Sequence, residues 1–380
     1  MREGKKLAII GASYLQLPLV RRAKEMGMYT ICFAWVDGAV CKDECDAFYP
    51  ISIIEKEQIL DVCRKEQIDG ICTIASDVAA PTVAFVAEQM GLIGNSYECA
   101  LRANNKYEMR KAFENAGVPC PGYVCISEGV SELDSERVRE LGLPLIVKPS
   151  DRSGSLGVMK VVREEDLQGA IEQAQGYSFK HEAMVEQFVE GREISVEFIS
   201  YHGKHYPLQI TDKVTIEAPH FVEIEHHQPA DLNAAQFEDI YALTKRALDA
   251  LGVTNGASHS EYRITEDGKI YVMEIGARMG GDFIGSDLVQ LSTGYDFLRG
   301  VIEVALGQFH DPELTKHQHS GVYFLCQETA HLKPIIVQHA LPQIVKAEIT
   351  DEALRNVTCS ADRSGYFIYQ DTKKLEIHKQ

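Results

Sequence analysis

Ala257-Ser-His-Ser-Glu-Tyr-Arg-Ile-Thr-Glu-Asp-Gly-Lys-Ile-Tyr-Val-Met-Glu-Ile-Gly276 reads as two β-strands joined by a tight turn. Asp267-Gly268 between two alternating runs is a strong hairpin signal. With those two residues as the loop, Glu261 stands directly opposite Glu274. Side chains alternate with period two, so His259, Glu261, Glu274 and Gly276 share one face. Tyr262, Ile264, Tyr271 and Met273 take the other, which is the expected buried face. Directly opposed carboxylates have Cβ atoms ~4.5–5.5 Å apart and repel. A divalent cation relieves that repulsion, and magnesium bridged to phosphate commonly uses one or two carboxylates. The plainer alternative is a solvated acidic face. Arg278-Met-Gly-Gly-Asp282 follows. Its guanidinium suits a transferring phosphoryl group, and its glycines allow close backbone approach; the plainer alternative for Arg278 alone is an ion pair with Glu274.

Upstream, Leu145-Ile-Val-Lys148-Pro149 places one lysine at the end of an apolar strand, and a half-buried lysine needs an anion. The next loop, Asp151-Arg-Ser153-Gly154-Ser155-Leu-Gly157, offers small residues and backbone N–H donors of the kind that cradle phosphate oxygens. No Gly-Lys-Ser/Thr opens a helix there, so it is not a Walker loop. Met184 to Glu197 reads as two strands broken at Gly191. The edge backbone of such a crossing can bond an adenine, and a carboxylate further on can reach ribose hydroxyls. A plain charged hairpin is the competing reading.

Near the N-terminus, Leu7-Ala-Ile-Ile10 is an apolar run ending in Gly11, as a buried parallel strand does. Leu15, Leu19, Ala23 and Met26 recur at helical spacing. Tyr29 to Ala34 and Gly70 to Ile74 are further strands, with a helix from Ile59 to Glu66 between them. This rhythm implies an α/β doubly wound parallel sheet with ligands at the C-terminal strand ends, which makes Asp77 a candidate substrate residue. Gly11-Ala12-Ser13 lacks the other glycines of a dinucleotide fingerprint, so NAD is set aside. A helix from Lys106 to Ala116 stops at Gly117 and Pro119. Strands with glycine-rich turns are then expected to about Ile210, followed by a helix from Ala235 to Leu251. The last ~70 residues, rich in His and β-formers, stay unassigned at this level of reading.

The chain has 380 residues, 45% hydrophobic and 25% charged, which fits two or three globular domains. Its formal charge of -18 argues against nucleic acid, which selects basic surfaces. No apolar run approaches the ~18–20 residues of a membrane span, and the start does not read as a signal peptide. Ten cysteines without a secretion signal imply reduced thiols and a cytoplasmic protein. Their spacing matches no zinc site.

Lys106, Val-Lys-Pro, the small-residue loop, Glu-Gln-Phe-Val-Glu-Gly-Arg-Glu, and the paired glutamates with Arg-Met-Gly-Gly together resemble the ATP-grasp superfamily over residues 5–305. The resemblance implies a pre-ATP-grasp domain over 1–105, a small subdomain over 106–190, a large subdomain over 191–310, and a C-terminal segment, 311–380, on the large lobe. It implies ATP and Mg2+, with Mn2+ as a substitute. Lys106 and Lys148 would contact phosphates, and Ser153, Gly154 and Ser155 would close over them. Glu186, Gln187 and Val189 would meet the adenine, and Glu193 the ribose. Glu261 and Glu274 match the metal-binding acids, and Arg278 the arginine on the transferred phosphate. The family commonly has Asn where Gly276 stands, which puts a second metal ion in doubt.

Within the superfamily, Pro219 to Pro229 and Glu274 to Gly281 look like the amino-acid ligases. The implied reaction is ADP-forming: a small carboxylate is phosphorylated and then joined to an amine. His226, His227 and His259 are candidate substrate contacts. The alternatives are a purine-type ligase resembling the phosphoribosylamine–glycine ligases, or a nucleotide-binding protein without catalysis. A homodimer is compatible with all of these.

Overall fold

The computed structural model describes residues 4–127, 132–152, 156–216 and 222–377. Its first layer contains β1 (Lys6–Ile10), α1 (Leu17–Glu25), β2 (Tyr29–Phe33), β3 (Ala47–Tyr49), α2 (Lys56–Glu66) and β4 (Gly70–Cys72), followed by α3 (Ala80–Met90) and α4 (Tyr97–Asn104). The four strands are parallel in the order β3-β2-β1-β4. Alternate residues of β1 feed opposite faces. Leu7 and Ile9 pack with Leu19 and Val20 of α1, and Ala8 and Ile10 pack with Ile59 and Leu60 of α2. A parallel sheet buried on both faces needs continuous apolar strands, and Leu7 to Ile10 supplies one.

The second layer contains α5 (Lys106–Asn115), β5 (Tyr123–Ile126), α6 (Glu132–Leu141), β6 (Leu145–Pro149), β7 (Met159–Val161), α7 (Leu167–Tyr177) and β8 (Ala183–Gln187). Its antiparallel sheet runs β5-β8-β6-β7. The all-strand expectation for this stretch is corrected by α6 and α7. Gly169 and Gly176 in α7 read as turns, yet Ala170, Ile171 and Ala174 stack on one face against Leu145, Val147 and Val185.

The third layer is an eight-stranded sheet in the order β13-β12-β9-β10-β11-β14-β16-β15. Its strands are β9 (Arg192–Tyr201), β10 (Lys204–Thr215), β11 (Glu223–Gln228), β12 (Gly256–Ile264), β13 (Ile270–Gly276), β14 (His319–Leu325), β15 (Ile344–Ile349) and β16 (Gly365–Asp371), with α8 (Ala234–Leu251), α9 (Val289–Thr293), α10 (Phe297–Ala305) and α11 (Lys333–Gln338). The last three strands come from the stretch that the sequence left unassigned. This layer is tied to the first at several joints. Phe297, Val301 and Ile302 of α10 share one core with Leu7 and Ile9 of β1, and Met279 bridges Ile74 just past β4, where its carbonyl accepts from Ala75 N at 3.0 Å. At Gly191, between β8 and β9, φ is 155° and a Cβ would lie 2.3 Å from the Ile264 carbonyl oxygen, so only glycine allows this crossing.

The β12–β13 hairpin corrects one expectation while preserving another. Thr265 N donates to Lys269 O at 2.9 Å and Gly268 has φ 82°, which makes a three-residue loop of 266–268. Near the turn Tyr262 therefore pairs with Val272 and Arg263 with Tyr271. A bulge at Met273 then restores the count, so Glu261 pairs with Glu274 and His259 with Gly276, as expected. The buried side of β13 is Val272 and Ile275, while Tyr271 and Met273 are half-buried.

Candidate functional site

A cavity of about 470 Å³ lies where the three sheets meet. Lys148, on β6, enters it from the second layer and is buried, with Nζ 2.6 Å from Glu186 Oε2 on β8. Arg110, one turn after Lys106 on α5, places Nε 2.9 Å from Glu186 Oε1 and donates from Nη2 to Met273 O at 2.6 Å. Burial pushes the Glu186 carboxyl up, but Arg110 and Lys148 overcome it and hold the group at about 2. Burial lowers the Lys148 ammonium against the pull of Glu186. The Glu186 side chain is thus committed to two cations. Gln187 and Val189 line the same cavity beyond it.

Lys106 opens α5, whose first turn is capped by the Asn105 side chain accepting from Glu108 N at 3.0 Å. Its Nζ donates to Arg152 O at 2.7 Å and to Glu274 Oε1 at 3.0 Å. Ser153, Gly154 and Ser155, expected to cover phosphates, lie outside the described residues.

Glu261 and Glu274 face one another by register, but their carboxylates are held by different cations. Lys213, on β10, brings Nζ within 2.8 Å of Glu261, 3.0 Å of Glu193 and 3.1 Å of Glu223. Burial would lower this ammonium, yet the three carboxylates raise it well above the ordinary lysine range. These glutamates can bring one oxygen each within 4.8 Å of the others, the one such metal-competent group of three among the described residues. Glu261 is correspondingly held well below the usual carboxylate range, burial being outweighed by Lys213 and His259. Glu193 also accepts from Arg263 Nη2 at 2.7 Å.

His259 meets Glu197 through Nδ1 and places Nε2 3.4 Å from Glu261 Oε1. Burial lowers the imidazole, but Glu197 and Glu261 together lift it to about 9. Gly280 N donates to Glu197 Oε2 at 3.1 Å, fixing the glycine turn after β13. Arg278 makes a two-point pair with Asp77: Nε to Oδ1 at 2.8 Å and Nη2 to Oδ2 at 2.7 Å. Asp77 thus sits at the C-terminal end of the parallel sheet, where ligand crevices form in such folds, and its partner is a protein arginine.

The two neighbouring histidines part company because they alternate on β11. His226 lines the cavity, with Nε2 3.9 Å from Asp282 Oδ2. His227 points to the other face, between Tyr369 OH and Glu225 Oε2, both at 2.9 Å. Asp282 has φ 49° and Phe283 φ 65°, a strained pair of non-glycine residues, and Arg363 from the C-terminal segment anchors Asp282 at 2.8 Å. Sequence reading missed Arg110, Lys213, Glu197, Glu223, Asp282 and Arg363. Two carried a local signal: Arg110 lies four residues past Lys106 on one helix face, and Glu197 shares the strand face of Glu193. Lys213 and Arg363 act across strands that only the fold brings together.

The described residues include no helix long and apolar enough to cross a membrane. Among the described residues no two cysteines are joined by a disulfide.

Comparison with known proteins agrees with this geometry. Residues 141–287 match the ATP-grasp domain family. Over 249 residues the chain is 28% identical to the alanine–anticapsin ligase of Bacillus subtilis (strain 168), a match covering 59% of this chain and 51% of that protein. The chain therefore spans about half the length of that relative. An L-amino acid ligase from Bacillus licheniformis superposes with TM-score 0.78 at 23% identity, covering 98% of this chain and 95% of the other. A phosphoribosylglycinamide synthetase from Anaerococcus prevotii superposes with TM-score 0.77 at 19% identity, covering 97% and 95%. The ATP-grasp domain matched over residues 141–287 holds Lys148, Lys213, Glu261, Glu274 and Arg278 of the cavity, and the whole chain shares its fold with those two structures.

Proposed function

We propose that the chain is an ADP-forming ligase that phosphorylates a small carboxylate with ATP and joins it to an amine, with amino acids as the substrate class. The observation that carries this reading is one cavity holding Lys106, Lys148, Lys213 and Arg278, each already paired with a carboxylate. Four cations around one cavity suit a polyphosphate, and the interleaved acids suit divalent cations with oxygen ligands. Glu261 and Glu274 have the donor chemistry to hold Mg2+ or Mn2+. Bound there, the ion would neutralise charge on the phosphates.

In this reading Lys148 and Lys106 hold phosphate oxygens, and Val189 and Gln187 border the adenine. Glu193 reaches the ribose, and Arg278 steadies the transferring phosphoryl group. A substrate carboxylate oxygen takes the terminal phosphoryl group, releasing ADP. The amine then attacks the acyl carbon, the C–O bond to phosphate breaks, and inorganic phosphate leaves with amide formed. The amine attacks in its neutral form and gives up one proton in that step, which the departing inorganic phosphate takes. Positioning supplies most of the rate.

Amino-acid substrates are favoured over ribotides by the N-terminal sheet. Its contribution to the cavity is Leu15, Ala75, Ser76 and Asp77, and no lysine or arginine before Lys106 is among the described residues that line it. A substrate phosphate would meet an aspartate there. The amino-acid ligase relatives point the same way. The test uses an amino acid with 18O in its carboxylate. Released phosphate carrying one 18O supports the acyl-phosphate route, and unlabelled phosphate during amide formation rules it out.

A further inference from the structure

We propose that a second cavity, formed where β11 leaves the large sheet, is a binding site for a small organic carboxylate with an apolar body. This cavity measures about 400 Å³, within the range of small-molecule pockets. It exists because β11 is short. That strand pairs with β10 only over residues 212–215 and with β14 over residues 320–323. At Pro229 the chain then leaves toward α8. Leu208 and Gln209 of β10 and His319 of β14 therefore line a space that β11 does not fill. The described residues lining this cavity and the cation-lined one do not overlap. On β11, Gln228 comes between His226 of the first cavity and Pro229 of the second. It is buried and bonded on both sides, donating from Nε2 to Thr211 Oγ1 at 2.9 Å and accepting from Ser292 Oγ at 3.0 Å.

The lining selects the ligand. None of the described residues around this cavity is an aspartate or glutamate, in a chain of formal charge -18. Lys316 is its charged member, and among the described residues no carboxylate pairs with that ammonium. His319 has its Nδ1 buried with no hydrogen-bond partner. Tyr241 packs its ring against Phe198 and Phe237, while its hydroxyl has no partner among the described residues. Buried polar groups left unbonded cost free energy, and a ligand acceptor removes that cost. An ammonium, a phenol and an imidazole N–H are all donors, and a carboxylate has the lone pairs to answer them together. Leu208, Pro229 and Leu314 supply an apolar wall for the rest of the molecule.

Ligand-observed NMR with the full chain tests this, using phenylacetate and hexanoate as probes beside their neutral amides. Both carboxylates should bind, and the amides about ten-fold or more weakly, as expected for loss of a charged hydrogen bond. Lys316→Glu sets a like charge beside the ligand and should weaken both carboxylates by about ten-fold or more. Lys316 is exposed, so this variant should melt as wild type does. Tyr241→Phe keeps the ring packing and should weaken the carboxylates by a smaller factor. Carboxylates seated in the cation-lined cavity instead would keep wild-type affinity in both variants, and that result overturns the proposal. Amides that bind as well as the carboxylates overturn it too, as does a wild-type chain that binds neither carboxylate. None of these outcomes depends on the nucleotide reading, which ATP binding tests separately.

Discussion

Lys213 stands 2.8 Å from Glu261 and gathers Glu193 and Glu223 around the same ammonium. One lysine ammonium therefore offsets part of the charge of three carboxylates that can converge on one cation. Removing one member of a buried charge cluster leaves the others uncompensated, at ~3–5 kcal/mol. Lys213→Met should lower the melting temperature in chelator and show a larger rise than wild type when Mn2+ is added. Equal melting curves for the two proteins would show that the lysine carries no such load.

Glu186 gives the fold an acid-sensitive joint. Its carboxyl is held at about 2 in the fold against an ordinary value of 4.5, because Arg110 and Lys148 outweigh burial. A depressed pKa stabilises above the unfolded value and loses that contribution as pH falls through 4.5 toward 2. Glu186→Gln should be less stable than wild type at pH 7, and its stability should change less between pH 4.5 and 2. Chemical denaturation across that range tests this; parallel pH profiles would contradict it.

Lys148→Ala removes the cation that reaches the cavity from β6. ATP binding by calorimetry should weaken by one to two orders of magnitude, on the order of 1.5–3 kcal/mol for a lost charged hydrogen bond. Melting without nucleotide should fall as well, since Glu186 loses a partner at 2.6 Å. Unchanged ATP affinity would remove Lys148 from the nucleotide site.

Glu274→Gln keeps the size and pairing of the residue but removes one of the two facing charges. Turnover should fall ~10²–10³-fold, as for loss of one transition-state charge contact. Glu261→Gln should do likewise and also loosen Lys213. Magnesium titrations of ADP release, run beside melts without nucleotide, separate lost chemistry from lost folding. Wild-type turnover in both variants would make the pair a solvated acidic face.

The facing glutamates were legible because β-pairing is local: one turn fixes many neighbours. Even there the loop was one residue longer than Asp267-Gly268 implied, and the bulge at Met273 offset it. Neither deviation leaves a mark in alternation, since Tyr271 and Met273 are as apolar as a buried face requires. Lys213, Arg363 and the pairing of Asp77 with Arg278 were not legible. Those contacts depend on the order of strands in the large sheet and on the docking of the first layer onto it. α6 and α7 were hidden by glycines and short apolar stripes, and only packing on β5, β6 and β8 fixes them as helices.

The proposed reaction is ATP-driven joining of a carboxylate to an amine. The most direct measurement is ADP release by the full chain with Mg2+ and ATP, over a panel of amino acids and small acids offered singly and in pairs. ADP and inorganic phosphate in equal amounts, with an amide product, are expected for particular pairs, and little ADP without them. AMP and pyrophosphate as products, or ADP release indifferent to every pair, would contradict it.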